Sequence, residues 1–364
     1  MATVPQVLHV AGVVLPEEEH RDLYVVDGTV SYQPTATATT VTQGWIVPGL
    51  VDAHCHVGLD KNGAVDLDTQ ERQAVTDRDA GTLLVRDAGS PADTRWIDDR
   101  PDLPRIIRAG RHLARTRRYI PNYGLELEPD ALAAAAAVQA GRGDGWVKIV
   151  GDWIERDRGD LAPCWPDDVV RDAIEAVHAA GARVTTHVFG EEAVRQFLGA
   201  GVDCVEHGTG LDDGLLAGMA ERGVALVPTL INIDSFPGIA DAAAGKFPLY
   251  AEHMRALHAS SRDVVRAAYE AGVPIFTGSD AGGSLAHGLV GQEIRALYEA
   301  GLSASDALGA GSWRARAWLG RPSRLIEGAP ADFVVYPADP REDLECLSRP
   351  RCIVLRGHVV PPGG

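Results

Sequence analysis

Between residues 51 and 322 short apolar runs alternate with longer amphipathic stretches. The runs are VPGLVDAHCH, GTLLVRDAG, PRIIRAG, WVKIV, ARVTTHV, VDCVEHG, VALVPTLI and VPIFTGSD. Each is rich in branched residues and ends at a Gly-rich or polar segment, the signature of a buried strand. Among the stretches between them, PDALAAAAAVQAG, PDDVVRDAIEAVHAAG, EEAVRQFLGAG, LLAGMAERG and SRDVVRAAYEAG read as helices. The second of these has Pro166 and Asp167 at its start and Gly181 just past its end. Eight strands alternating with helices predict an α/β fold, a (β/α)8 TIM barrel, for which about 250 residues is typical. The two ends differ. QVLHVAGVVL, DLYVVDGTVSY and TTVTQGWIVP at the start, and ADFVVYPADP and RCIVLRGHVV near the end, are β in character throughout. They are expected to pair into one small β-sandwich domain, 1–50 plus 323–364, flanking a 51–322 barrel. NYGLELEP and NIDSFPGIADAAAGKFPLY read as long loops, the second a lid candidate.

A series of ligand-type side chains falls on the strand ends of this pattern. In chain order they are His54, His56, Lys148, His187, His207 and Asp280. His54 and His56 are two apart, so in a strand both imidazoles face one way, with Cys55 turned from them. Side chains from separate strand ends converge only if the strands are parallel and close into a ring, and reactive residues of such barrels sit at those ends. His112, His178, His253 and His258 do not join the series and are read as packed or capped side chains.

The chain has 364 residues and a formal net charge of -17, which argues against nucleic acid or an anionic membrane as partner. RIIRAGRHLARTRRY is the local exception. It reads as a strand and loop with solvated arginines, in which Arg117 or Arg118 is available to hold a substrate carboxylate. Five cysteines, an odd number without zinc-ribbon spacing, give no disulfide framework and fit a reduced, cytoplasmic setting. MATVPQVLHV has no basic segment followed by a long apolar core, so no signal peptide or membrane span is expected. A small molecule or peptide is the expected partner as substrate, and a homo-oligomer is compatible with the composition.

Imidazole and carboxylate donors suit a borderline divalent ion such as zinc. Four histidines and one aspartate could hold one ion with an open position, but Lys148 points to two. A protonated ammonium beside two dications would be strongly repelled. A neutral amine can instead take up carbon dioxide, and the resulting carbamate can bridge two ions about 3.5–4 Å apart. The expected centre has His54, His56 and Asp280 on one ion, His187 and His207 on the other, and carboxylated Lys148 between. Two ions sharing a water would lower its pKa towards about 7, giving a hydroxide that attacks an amide or ester carbonyl. Asp280 is placed to carry the proton from that water to the leaving nitrogen.

These residues resemble the amidohydrolase superfamily. PGLVDAHCHVG looks like its strand-one signature and TGSDAGG its strand-eight signature, and the resemblance runs nearly end to end. WVKIV, TTHVFG, VEHGTG and SDAGG with the following His287-Gly288 are most similar to the prolidase-like, or Xaa-Pro dipeptidase-like, group, with imidazolonepropionases as cousins. The resemblance implies a binuclear zinc hydrolase with carboxylated Lys148 and the same six metal ligands. The substrate shell departs from that group. Its Gly-Gly-His segment after strand three corresponds here to ARTRRYIPNYG, so Tyr119 or Asn122 takes the place of the substrate-contacting histidine, and Asn232 replaces a tyrosine after strand seven. Arg117, Arg118, Tyr119, Asn232 and His287 are the expected substrate contacts.

The leading expectation is metal-dependent hydrolysis of a peptide or other carboxamide bond, in a dipeptide, an N-acyl amino acid or a peptide-derived natural product. One alternative is lactone or lactam hydrolysis, or heterocycle deamination, on the same centre. The other is a non-catalytic barrel that serves as a binding protein.

Overall fold

The computed structural model describes residues 7–360; residues 1–6 and 361–364, the outer ends of the two terminal segments, lie outside the described residues. Strand and helix alternate through the middle of the chain. Parallel strands occupy Leu50–Cys55, Thr82–Asp87, Arg105–Arg108, Trp146–Val150, Arg183–Val188, Cys204–His207 and Ala225–Val227, the first seven of the expected eight. The expected eighth, around residues 275–281, is held by single bridges. Ile275 pairs with Leu226 and Ala281 with Cys55, both in parallel. Backbone bonds from Phe276 to Leu226, and from Ala53 to Thr277, fasten this segment to both the seventh strand and the first. On the other side, the amide of Asp144 donates to Arg108 just before the fourth strand, at 2.8 Å.

Side-chain alternation separates two apolar layers. Val51, Ala53, Leu84, Ile107, Trp146, Cys204, Ala225 and Phe276 pack together between the strands. Their strand neighbours Leu50, Leu83, Val147, Ile149, Val184, Val205, Leu226 and Ile275 point outward into a larger cluster shared with the helices. Strands buried on both faces explain why the sequence shows continuous apolar runs rather than alternation. The helix Asp167–Ala179 buries Val170, Ala173, Ile174 and Val177, one stripe at helical spacing. The helix Glu191–Ala200 is stopped by Gly201, whose φ of 92° is left-handed.

The terminal segments do pair. Seven strands form one sheet in the order His358–Val359, Cys352–Leu355, Phe333–Tyr336, Thr39–Pro48, Leu8–Val14, Glu19–Val26, Thr29–Ser31. Phe333 stands opposite Pro48 and Tyr336 opposite Trp45. Instead of two separate sheets facing each other, one sheet curls back on itself. The amide of Val30 at one edge donates to Ala329, and that of Gly357 near the other end donates to Ala331. The curl encloses a separate cluster of Leu8, Val10, Leu23, Val25, Ile46, Phe333 and Val354.

The stretch expected to be a lid loop is helical. Leu230–Ile233, Phe236–Ala243 and Pro248–Glu270 are helices, and Phe236, Ala240, Ala251 and Met254 are buried against Ile233 and Phe189. Pro237 and Gly238 sit inside the second of these helices, which the buried aromatic Phe236 anchors. NYGLELEP likewise contains a short strand, Leu125–Leu127, parallel to Leu113–Arg115. Among the described residues no helix is long and apolar enough to cross a membrane.

Candidate metal centre

Two departures from regular strand geometry build the site. In the first strand Val51 and Ala53 face the interior cluster, so simple alternation would send His54 outward. The pairing with the second strand slips between Asp52 and Cys55, and this irregularity brings His54 to the inside as well. His56 follows on the same side. In the sixth strand Glu206 and His207 are consecutive, yet both are interior. His207 has φ 67°, a left-handed conformation uncommon for a side-chain-bearing residue, which turns its imidazole inward next to Glu206. Asp280 has φ 56° for the same result. Asp52, on the opposite side, clamps the two segments. Its Oδ1 accepts from the amides of His54 (3.1 Å) and Ser279 (3.0 Å), and its Oδ2 from the Ser279 hydroxyl. Burial pushes the Asp52 carboxyl up to about 7.

The four histidines and Asp280 converge, and Lys148 adjoins them through Glu206. Asp280 Oδ1 lies 2.9 Å from His54 Nε2 and 3.0 Å from His56 Nε2, and those two nitrogens are 3.2 Å apart. His187 Nδ1 and His207 Nε2 are 2.9 Å apart and form a second cluster. The rings of His54 and His207 connect the two, with centroids 5.2 Å apart. His54, His207 and Asp280 each present a ligand atom within 4.8 Å of the others. Lys148 is 1 % exposed and contacts the carboxylate of Glu206.

The histidines face the cluster with defined atoms. His56 Nδ1 is 2.6 Å from the Gly89 carbonyl, which can only accept, so Nδ1 carries a proton and Nε2 is the atom turned to Asp280. His207 Nδ1 is 2.7 Å from the Thr229 hydroxyl. His187 Nε2 points towards Asp152 Oδ1, 3.9 Å away, and His54 Nδ1 towards Glu206 Oε2, 3.5 Å away; neither nitrogen has a hydrogen-bond partner. Outward support from carbonyl, hydroxyl and carboxylate groups is how metal-ligating imidazoles are oriented.

Electrostatics agree with cation binding. Burial holds the imidazoles of His54, His187 and His207 well below the usual histidine range, so they are neutral donors. Burial works against the charge of Asp280, yet His54 and His56 hold its carboxyl well below the carboxylate range. Three ligand-type atoms, His54 Nε2, His56 Nε2 and Asp280 Oδ1, thus crowd within 3.2 Å of one another. The donor set therefore fits divalent ions, His54, His56 and Asp280 for one and His187 and His207 for another. Burial also brings the Lys148 amine down to about 7, against the opposing pull of the Asp280 carboxylate, which puts its neutral form within reach near neutral pH.

The expected substrate contacts divide. Tyr119 is at the site, its ring 5.5 Å from that of His187 and 4.9 Å from Trp153. Asn232 is half-buried in the helix just after the seventh strand. His287 is not with the six. It is buried behind the first strand, its Nδ1 2.8 Å from Asp77 Oδ2, with Cys55 as the third member of that group. Arg118 is spent on the carbonyls of Trp153 and Ala162, at 3.0 and 2.9 Å, rather than left open for a carboxylate. Arg117 is exposed in a left-handed turn.

Sequence reasoning missed three interior residues. His112 is fully buried, stacks on His56 with centroids 4.9 Å apart, and has no partner for either ring nitrogen. Arg86 and Glu206 are both 0 % exposed and paired at 3.1 Å. The available signal was a charged residue inside an apolar run, LLVRD and DCVEHG. An open cavity of about 420 Å³ lies nearby, lined by Asp87, Ser90, Arg95, Arg108, Arg111 and Gln139, and contains none of the six.

Comparison with known proteins defines the class. The amidohydrolase family profile matches residues 45–360. The chain belongs to the amidohydrolase family, whose members are hydrolases that generally use a divalent metal centre. At 57 % identity over 357 residues it is similar to uncharacterized proteins of Mycobacterium tuberculosis (strain ATCC 25618 / H37Rv) and Mycobacterium bovis (strain ATCC BAA-935 / AF2122/97), covering 98 % of this chain and 96 % of each relative. It shares its fold with a putative prolidase from Bifidobacterium longum (TM-score 0.85, 24 % identity, 99 % of this chain and 96 % of that one). A Xaa-Pro dipeptidase with methionine bound in its active site matches with TM-score 0.82 at 21 % identity, over 97 % of this chain and 99 % of that one. Ochratoxinase from A. niger matches with TM-score 0.78 at 19 % identity, over 97 % and 96 %.

Proposed function

We propose that this chain is a binuclear, zinc-dependent amidohydrolase on a (β/α)8 barrel, cleaving a peptide or other carboxamide bond. The carrying observation is the convergence of four imidazoles, one ionised carboxylate and a buried lysine from separate strands, in two clusters. Lys148, as its carbamate, would bridge them. When bound, the two ions would acidify a water and polarise the scissile carbonyl.

The chain's own residues supply the rest. Asp280, fixed against His54 and His56, accepts a proton from the attacking water at its carboxylate and returns it to the leaving nitrogen. Tyr119 and Trp153 form an aromatic wall beside His187, against which an apolar side chain or ring of the substrate packs. Asn232, beyond the seventh strand, is the polar contact left for the substrate backbone. The likeness of fold to a Xaa-Pro dipeptidase and to ochratoxinase supports dipeptides, N-acyl amino acids and peptide-derived natural products as the substrate class. All five cysteines are free, in keeping with a cytoplasmic enzyme.

Metal analysis of the purified protein, followed by a screen of dipeptides, N-acyl amino acids, lactones and cyclic imides, tests the reading. Two ions per chain and amine release from an amide support it. Ammonia release points to deamination, ring opening of a lactone to the alternative hydrolase, and a metal-free, inert protein to neither.

A further inference from the structure

We propose that Glu206, anchored by Arg86, is a positioning residue of the metal centre, one that touches neither metal nor substrate but sets Lys148 and His54 in place; this rests on the metal-centre reading above. Glu206 is wholly buried and every oxygen is engaged. Its Oε1 accepts from Thr185 Oγ1 at 2.6 Å and from Arg86 Nη2 at 3.1 Å. Its Oε2 faces the Lys148 amine and lies 3.5 Å from His54 Nδ1. One carboxylate thus reaches side chains on the first, second, fourth and fifth strands while sitting on the sixth, next to His207.

Arg86 makes the arrangement rigid. Its Nε donates to the Ala53 carbonyl at 2.6 Å, at the residue just before His54. Its guanidinium lies over the faces of Trp146 (4.7 Å) and Trp318 (5.4 Å). Arg86 therefore ties the strand carrying His54 to the strand carrying His207 and supplies the one fixed positive charge on Glu206. A buried ion pair adds little net stability, whereas removing one half of it is strongly destabilising. Its retention here is explained by placement. With Oε1 held by Thr185 and Arg86, Oε2 can only be turned to Lys148 and His54. A carboxylate 3.5 Å behind Nδ1, too far for a hydrogen bond, still favours the tautomer with its proton on that nitrogen by charge, which leaves Nε2 of His54 free as donor to a metal. The same oxygen keeps the Lys148 side chain extended along the interior.

The test is metal affinity, measured by competition with a zinc chelator, together with ion stoichiometry, on the full-length wild type, Glu206→Gln, Arg86→Met and the double variant. Glu206→Gln is isosteric and is expected to fold, bind zinc at least tenfold more weakly and lower kcat with KM little changed. Arg86→Met leaves a buried carboxylate without its cation and is expected to be worse than Glu206→Gln, with the double variant recovering part of the loss. Should Arg86→Met fail to fold, Glu206→Gln and the double variant carry the comparison. Wild-type zinc affinity, stoichiometry and kcat in Glu206→Gln would overturn the proposal. A wild-type protein that binds no metal would instead overturn the metal-centre reading itself.

Discussion

Asp280 and His54 are joined twice. The carboxylate Oδ1 of Asp280 lies 2.9 Å from His54 Nε2, and the backbone amide of Asp280 donates to the His54 carbonyl at 2.7 Å. The side chain proposed to move protons is therefore fixed by main chain and side chain alike to the first strand.

Asp280→Asn keeps an oxygen facing the cluster and the backbone bond, but loses the site that accepts a proton. The expected outcome is nearly full metal content with turnover lowered about 100-fold or more. Metal analysis beside steady-state kinetics checks it, and wild-type-like rates would reject Asp280 as the proton carrier.

Lys148→Ala removes the proposed bridge. Metal and activity should both fall, with partial recovery in added formate, acetate or propionate, which can fill the space with a carboxylate. No recovery together with full metal content would argue for a single-ion site.

Gly278 lies where a side chain has no room. A Cβ there would be 2.4 Å from Val227 Cγ1 and 2.6 Å from His54 Cβ. Gly278→Ala is expected to cost about 1–3 kcal/mol by overpacking and to displace His54. Urea unfolding and zinc titration should shift together; an unchanged metal affinity in a destabilised variant would show that His54 does not depend on this contact.

Glu293 supplies a pH signature away from the candidate metal centre. It is fully buried and accepts from the amides of Leu230 (2.8 Å) and Ile231 (3.0 Å), and burial pushes its carboxyl up from 4.5 to about 8. With the folded value raised above the unfolded one, its contribution is complete below pH 4.5 and is lost as pH rises through about 8. The loss is about 5 kcal/mol at most, since a tenfold change in proton affinity corresponds to about 1.4 kcal/mol. Wild type minus Glu293→Gln, compared by denaturant unfolding at pH 5, 7 and 9, should show this slope. Parallel stability profiles would mean that Glu293 is not protonated on folding.

The strand–helix order and the six candidate ligand residues at the strand ends were legible because branched apolar runs ending in His, Lys or Asp carry both signals at once. Glu206 was not. Alternation assigns it the face opposite His207, and only the left-handed backbone of His207 puts both inside. Arg86 hid in the same way, since a lone arginine in LLVRD gives no clue to a partner on the sixth strand. The roles of Arg118 and His287 depended on contacts far apart in sequence, with Trp153, Ala162 and Asp77. The helices after the seventh strand were lost to Gly and Pro, because local propensity says nothing of the apolar pocket that receives Phe236.

The curled sheet has a consequence for biogenesis. Thr39–Pro48 emerges from the ribosome early, but its neighbour Phe333–Tyr336 is made only after the whole middle segment has been translated. Until then one margin of that strand offers unpaired amides and carbonyls to any passing chain. Nascent protein should therefore lean on holding chaperones, and truncation ahead of Phe333 should yield aggregates rather than a free-standing catalytic core.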